Sequence, residues 1–183
     1  MASAFAHILV AYSINRVTNN PLLNGKFFFF VAISSVMPDI DVLAFKFGIA
    51  YGDLWGHRGM THSLFFALIW SLILWLAMLK TTDYHHCQFL SKTSLTAILI
   101  LFISTSSHGF LDAMTNGGLG VAFFSPFDTT RYFLPWQPIQ VSPIGISAFF
   151  SSAGLRVILS ELFWIGIPAL IFLILLKIRN SVQ

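Results

Sequence analysis

Long apolar stretches recur along the chain, separated by two segments in which charged and polar residues gather. Ser63 to Leu79 is the clearest, an uncharged run whose polar members are Ser63 and Ser71. At 1.5 Å per residue it covers about 26 Å, close to the thickness of a bilayer core. Val157 to Leu176 is equally apolar, with Glu161 its single charge. Thr93 to Leu111 is uncharged apart from His108 and rich in Ser and Thr, a composition suited to a helix packed inside a bundle. Phe5 to Ile14 and Phe27 to Met37 read as two shorter helices. A turn at Asn19-Asn20-Pro21 joins them, with Pro21 and Gly25 as breakers, and the second stops at Pro38. The pattern predicts one all-α domain over residues 1–183, a polytopic membrane bundle of about four to five helices.

The polar segments are not spans. Asp39 to Thr61 holds Asp39, Asp41, Lys46, Asp53, His57 and Arg58, and Gly117 to Gly154 holds four of the seven prolines. Both read as ordered loops or re-entrant pieces on one face of the bundle. Alternating helices bring the ends bearing His7, Pro38, His62, His108 and Arg156 to that face. Its basic residues are Lys46, Arg58, Arg131 and Arg156; the opposite face has Arg16, Lys26, Lys80, Lys92, Lys177 and Arg179. Six against four predicts, by the positive-inside rule, that the polar-loop face lies outside the cytoplasm.

Composition narrows the class further. Hydrophobic residues make up 56% and charged residues 9%, with a mean hydropathy of +0.80. Soluble domains carry about 25% charged residues, so a water-facing surface cannot be built from this chain. Disorder needs the opposite composition, and a disulfide scaffold is excluded because Cys87 is the only cysteine. The net charge of +3 is dispersed, with no basic run for nucleic acid. Met1 to Val10 lacks the basic start and small-residue cleavage site of a signal peptide, so insertion is expected from the retained segments. An integral membrane protein is the expectation.

The seven acids then carry the chemistry, because ionisable groups near a bilayer are costly and default to function. Asp39 and Asp41 point the same way if their segment is extended, and would repel without a cation between them; either could instead cap a helix. In His57-Arg58-Gly59-Met60-Thr61-His62-Ser63, Thr61 can cap a helix starting at His62. The helix N-terminus and the Arg58 fork would then suit an anion. Arg58 could equally snorkel to lipid phosphate. His108 and Asp112, four apart, share one helix face, as two ligands of one metal or as a plain His–Asp hydrogen bond. His7 alone reads as structural or interfacial. His85, His86, Cys87 and Asp83 read as solvated bystanders in the opposite loop. Convergence changes the balance: His7, Asp39, Asp41, His57, His62, His108 and Asp112 all fall at one membrane face. Imidazole and carboxylate ligands together suit zinc, manganese or iron(II). An open site of that kind would activate water and polarise an ester or phosphoryl group.

At these residues the sequence resembles the YdjM-like inner-membrane proteins, described as membrane-bound metal-dependent hydrolases. The likeness runs from His7 through Pro-Asp-Ile-Asp (38–41), His-Arg-Gly-Met-Thr-His-Ser (57–63) and Ser-His-Gly-Phe-Leu-Asp (107–112). It continues through Thr115 to Gly117, Ser125-Pro126-Phe127 and Arg131 to Trp136, covering most of the chain. The ligand order is also similar to that of zinc-dependent phospholipases C and P1-type nucleases. They use a His, an Asp, a His and a His-x3-Asp, matched here by His7, Asp39 or Asp41, His62, His108 and Asp112. That similarity implies Asp112 between two ions. The chain departs from those enzymes afterwards, since no histidine follows His108 and Glu161 is its only glutamate. One or two ions is therefore the expectation.

The resemblance implies a divalent metal, zinc foremost, held by His62, His108, Asp112 and one or both of Asp39 and Asp41, with His7 on a second ion. Asp39 or His57 would serve as general base. Arg58, Thr61 and Arg131 would hold an anionic lipid or lipid-linked substrate. Arg131 could instead pair with Asp128. Two other classes remain open: a transporter of metal ions or protons built from the same residues, and a membrane protein whose metal only staples its loops.

Overall fold

The computed structural model describes residues 1–81 and 84–181, so Asp83 lies outside the described residues. Helix α1 spans Ala4–Asn15 and starts where the Ser3 side chain accepts the Ala6 N–H. Asn20 caps the short 3₁₀ turn Pro21–Leu23, and α2 follows at Lys26–Val36. Helix α3 is Leu64–Thr81, and α4 is Lys92–Ala113, capped by Ser91. After a long ordered stretch come α5, Ile146–Phe149, α6, Ser152–Glu161, and α7, Ile167–Ser181. The helical membrane bundle expected from the hydrophobic pattern is what the chain forms. Lys26–Phe47, Lys92–Ala113 and Ser152–Ser181 are long and apolar enough to cross a membrane, and α1 and α3 are shorter apolar helices.

Two boundaries differ from the sequence reading. The helix expected to stop at Pro38 runs on as a 3₁₀ helix, Met37–Phe47. Pro38 falls in its first turn, where a missing N–H breaks no helical bond. The expected span Val157 to Leu176 lengthens to Ser152–Ser181 but contains a π turn, Leu162–Gly166, closed by the Ile167 N–H on the Leu162 carbonyl. Pro168, one residue beyond, cannot donate to the preceding turn, and the wider register absorbs that loss.

Helix α4 is the centre, packing on α1, α2 and α3. Its apolar window is 56% buried, against 22% for the C-terminal span, which confirms the inside position its Ser/Thr content predicted. Ser34 and Thr105 share a hydrogen bond of 2.6 Å, Trp70 Nε1 donates to Ser34, and Ser104 donates to the Val31 carbonyl. Such bonds between helices replace the hydrophobic drive that lipid does not supply. One half of the bundle is filled by an apolar cluster that includes Leu23, Phe27, Val31, Trp75 and Leu101. In the other half buried polar groups gather, flanked by two smaller apolar clusters around Ala6 and Ala113.

Candidate metal centre

Four elements end at the polar half: the start of α1, the 3₁₀ helix after α2, the 3₁₀ turn Met60–His62 before α3, and the end of α4. Asp39 and Asp41 are helical, not extended. At three residues per turn their side chains diverge, so the two carboxylates serve different partners. Asp39 approaches His108 Nε2 at 3.2 Å and His62 Nε2 at 3.7 Å. Asp41 takes three donors, His57 Nδ1 at 2.7 Å, the Arg58 N–H at 3.0 Å and Thr61 Oγ1 at 2.8 Å, and lies 3.1 Å from His62 Nδ1.

Around Asp39 the buried donor atoms lack hydrogen-bond partners. His7 Nε2, His62 Nε2, His108 Nε2 and Asp39 Oδ1 all have none. Asp112 completes the ring, with Oδ2 3.6 Å from His62 Nε2 and Oδ1 3.7 Å from His7 Nε2. One atom from each of Asp39, His62, His108 and Asp112 lies within 4.8 Å of the other three. Spacings of 3.6–3.7 Å are too long for hydrogen bonds. They suit ligands around one ion, because bonds near 2.0–2.1 Å put tetrahedral neighbours roughly 3.3 Å apart. Orphaned buried nitrogens cost free energy unless something binds them, so the residues fit a metal ion.

The outer contacts orient these groups. His108 donates from Nδ1 to the Ser35 carbonyl at 2.7 Å, which turns the Nε2 lone pair inward. The alternative reading of a His108–Asp112 hydrogen bond is thereby replaced. His62 Nδ1 is hydrogen-bonded with Thr61 Oγ1 at 3.2 Å and lies 3.1 Å from the Asp41 carboxylate, which leaves Nε2 aimed at the centre. His7 stacks on His108 with ring centroids 3.7 Å apart and planes 7° off parallel. Burial opposes a charge on His62, yet Asp112, Asp39 and Asp41 outweigh it and hold its pKa well above the usual imidazole value. Their field attracts positive charge. Gly109 lets α4 meet the next element, since a Cβ there would sit 2.9 Å from the His62 carbonyl oxygen.

The arginines are placed otherwise than expected. Arg58 neither snorkels nor faces a groove; it is fully buried, at 0% exposure. Its Nε donates to Asp112 Oδ2 at 3.0 Å, Nη1 to the Gly117 carbonyl at 2.9 Å and Nη2 to Thr115 Oγ1 at 2.9 Å. Gly118, at φ +92°, lets the guanidinium pass, because a Cβ there would come within 2.8 Å of Nη1. Arg58 itself has φ +62°, a costly conformation for a side-chain-bearing residue. That backbone lets its N–H reach Asp41 while its side chain reaches Asp112. Arg131 donates to the carbonyls of His57, Tyr51 and Asp53, tying two loops together. Asp128, its alternative partner, instead accepts from the Thr130 N–H and the Tyr132 hydroxyl. Thr61 does not cap α3 either. Its hydroxyl donates to Asp41, and Ser63 accepts the Phe66 N–H in the capping role.

Three contributors were not read from the sequence. The Ala2 N–H donates to Asp112 Oδ1 at 2.7 Å. Glu161 accepts from both the N–H and the hydroxyl of Ser3, each at 2.5 Å. It thereby anchors the end of α1 that carries His7. Its solitary charge in a long apolar run was the available signal. Ser35 acts through its carbonyl, which side-chain identity cannot announce.

Comparison with known proteins agrees with the membrane bundle. The family described as "YdjM inner membrane protein" matches over residues 1–181. Inner membrane protein YbcI of Escherichia coli (strain K12) is 36% identical over 178 residues, covering 94% of this chain and 95% of that protein. No solved structure matches.

Proposed function

The chain belongs to the YdjM inner membrane protein family, and from that premise we propose that it is a membrane-bound metal-dependent hydrolase acting on a phosphoester or ester of a lipid. The observation that carries the reading is the convergence of partnerless buried donors from His7, Asp39, His62 and His108 on Asp112. Asp39, His62, His108 and Asp112 would hold the ion, with His7 at its edge. A bound divalent ion supplies Lewis acidity, activating water and polarising an ester or phosphoryl oxygen. Zinc suits the donor set, and manganese or iron(II) fit it too.

One ion is the reading the geometry favours, because one atom from each of Asp39, His62, His108 and Asp112 converges on a single position.

The other residues divide the remaining work. Asp41 fixes the His62 ring and takes the His57 Nδ1 proton in a hydrogen bond, so His57 keeps Nε2 as its basic nitrogen and is assigned as proton acceptor. Arg58 and Arg131 spend their donors on the protein and act as positioning residues. Of the four ion-holding residues Asp39 alone reaches the surface, its side chain 16% exposed. Beside it the exposed Ile40, Leu43 and Phe47 give that rim an apolar approach, which favours a lipid substrate over a water-soluble one. Transport is disfavoured because the apolar cluster around Trp75 fills the bundle beyond the site. The basic excess on the opposite ends orients the site away from the cytoplasm.

The test is turnover by the full chain in vesicles, with phosphodiester and acyl-ester lipids. The expected result is hydrolysis abolished by chelation, restored by zinc or manganese, and absent after alanine replaces both His108 and Asp112. Turnover that survives the double replacement would refute the mechanism.

A further inference from the structure

At the end of the bundle opposite the metal centre, α1 and α7 flank an open cavity of about 480 Å³. Among its lining residues are Tyr12, Arg16, Leu176, Lys177, Asn180 and Ser181. Its two cations belong to a wider imbalance. Arg16, Lys26, Lys80, Lys92, Lys177 and Arg179 all sit at this end of their helices, and Asp83 is the only acid in the segments between them. The other six acids lie in or around the metal centre and its loops. Lys26 has a partner of its own, and the described residues lining the cavity include no carboxylate beside Arg16 and Lys177.

The depth of the cavity points to the kind of anion that Arg16 and Lys177 would hold. Arg16 caps the end of α1 and Lys177 lies in the last turns of α7, where charged heads meet the membrane surface. Tyr12, at 38% exposure, adds a hydroxyl at the same level. The rim is braced: Asn180 donates to Asn19 at 3.2 Å, and Arg16 to Asn24 at 3.5 Å. From Arg16 the same face of α1 continues through Tyr12, Ile8 and Phe5 at helical spacing, all exposed. One stripe thus offers a cationic, hydrogen-bonding cup at the surface and an apolar track beneath it.

We propose that this cavity is a binding site for an anionic membrane phospholipid, distinct from the metal centre. Its phosphate is held by the Arg16 fork and the Lys177 ammonium, and an acyl chain lies along Tyr12, Ile8 and Phe5. Basic pockets between membrane helices recognise headgroups through this combination of charge and depth. A free anion would use the cup but gain nothing from the track, so the site is assigned to lipid.

The experiment is native mass spectrometry of the full chain in mild detergent, titrated with phosphatidylglycerol or phosphatidylcholine carrying identical acyl chains. The expected result is retention of phosphatidylglycerol in preference to phosphatidylcholine. The double variant Arg16→Gln, Lys177→Gln should lose that preference, weakening binding roughly tenfold or more. Lys80→Gln, Lys92→Gln, with the same charge change outside the cavity, should keep it. Lys177→Glu alone, at an exposed position, gives the same reading if the double variant does not fold. Equal loss in both double variants, equal retention of the two lipids, or displacement of phosphatidylglycerol by millimolar inorganic phosphate would overturn the proposal.

Discussion

Replacing Arg58 by Met should destabilise the protein by about 3–5 kcal/mol, the range for breaking a buried ion pair from one side. Methionine fills much of the space, so lost volume is not the main term. What is lost is the cation beside Asp112 and the donors to Thr115 and Gly117, all in a region closed to water. The Asp112 carboxylate then keeps the Ala2 N–H but loses the guanidinium that pairs with it directly. A divalent ion would then carry more of its compensation. Equilibrium unfolding in mixed micelles should therefore show a larger loss in chelator than in saturating zinc or manganese. An equal, small loss in both conditions would show that Arg58 is not the counter-charge that keeps Asp112 ionised.

The second large effect separates two acids that look alike in sequence. Asp41→Asn should weaken metal binding by about 10–100-fold, the usual range for a group that orients a ligand. The amide can still accept from some of its three donors, but without the charge it no longer favours a proton on the nearby His62 Nδ1. Asp39→Asn should cost more than about a hundredfold, because it removes charge and an unpartnered oxygen from the ion's own ring. Isothermal titration with zinc, on both variants side by side, measures the ranking. The reverse order would move the ion to the neighbouring cluster of Asp41, His57 and His62, whose atoms also converge.

That distinction marks how far the sequence could be read. The membrane class, the helical bundle and the gathering of His7, Asp39, Asp41, His57, His62, His108 and Asp112 at one face were legible. Apolar run lengths and helix alternation determine them. The division of labour among those residues was not legible. Asp39 and Asp41 diverge because their segment is a 3₁₀ helix, and Pro38 had suggested a stop. Arg58 turns inward because its backbone takes a positive φ that no local pattern reveals. Thr61 and Ser63 exchange roles because the helix starts two residues later than the capping pattern suggested, freeing Thr61 for Asp41. Glu161 looked like an isolated charge because its partner, Ser3, lies 158 positions away in the chain. Each miss is a tertiary contact or a backbone conformation; each success is a periodicity or a composition.

The central claim is that the polar half of this bundle is a metal centre. Metal content by mass spectrometry, on purified full-length chain beside Asp112→Asn, tests it most directly. The account predicts close to one divalent ion per wild-type chain, zinc or manganese, and its loss in the variant. Wild-type protein that stays metal-free after loading with excess ion would contradict it, and the orphaned nitrogens of His7, His62 and His108 would need another partner.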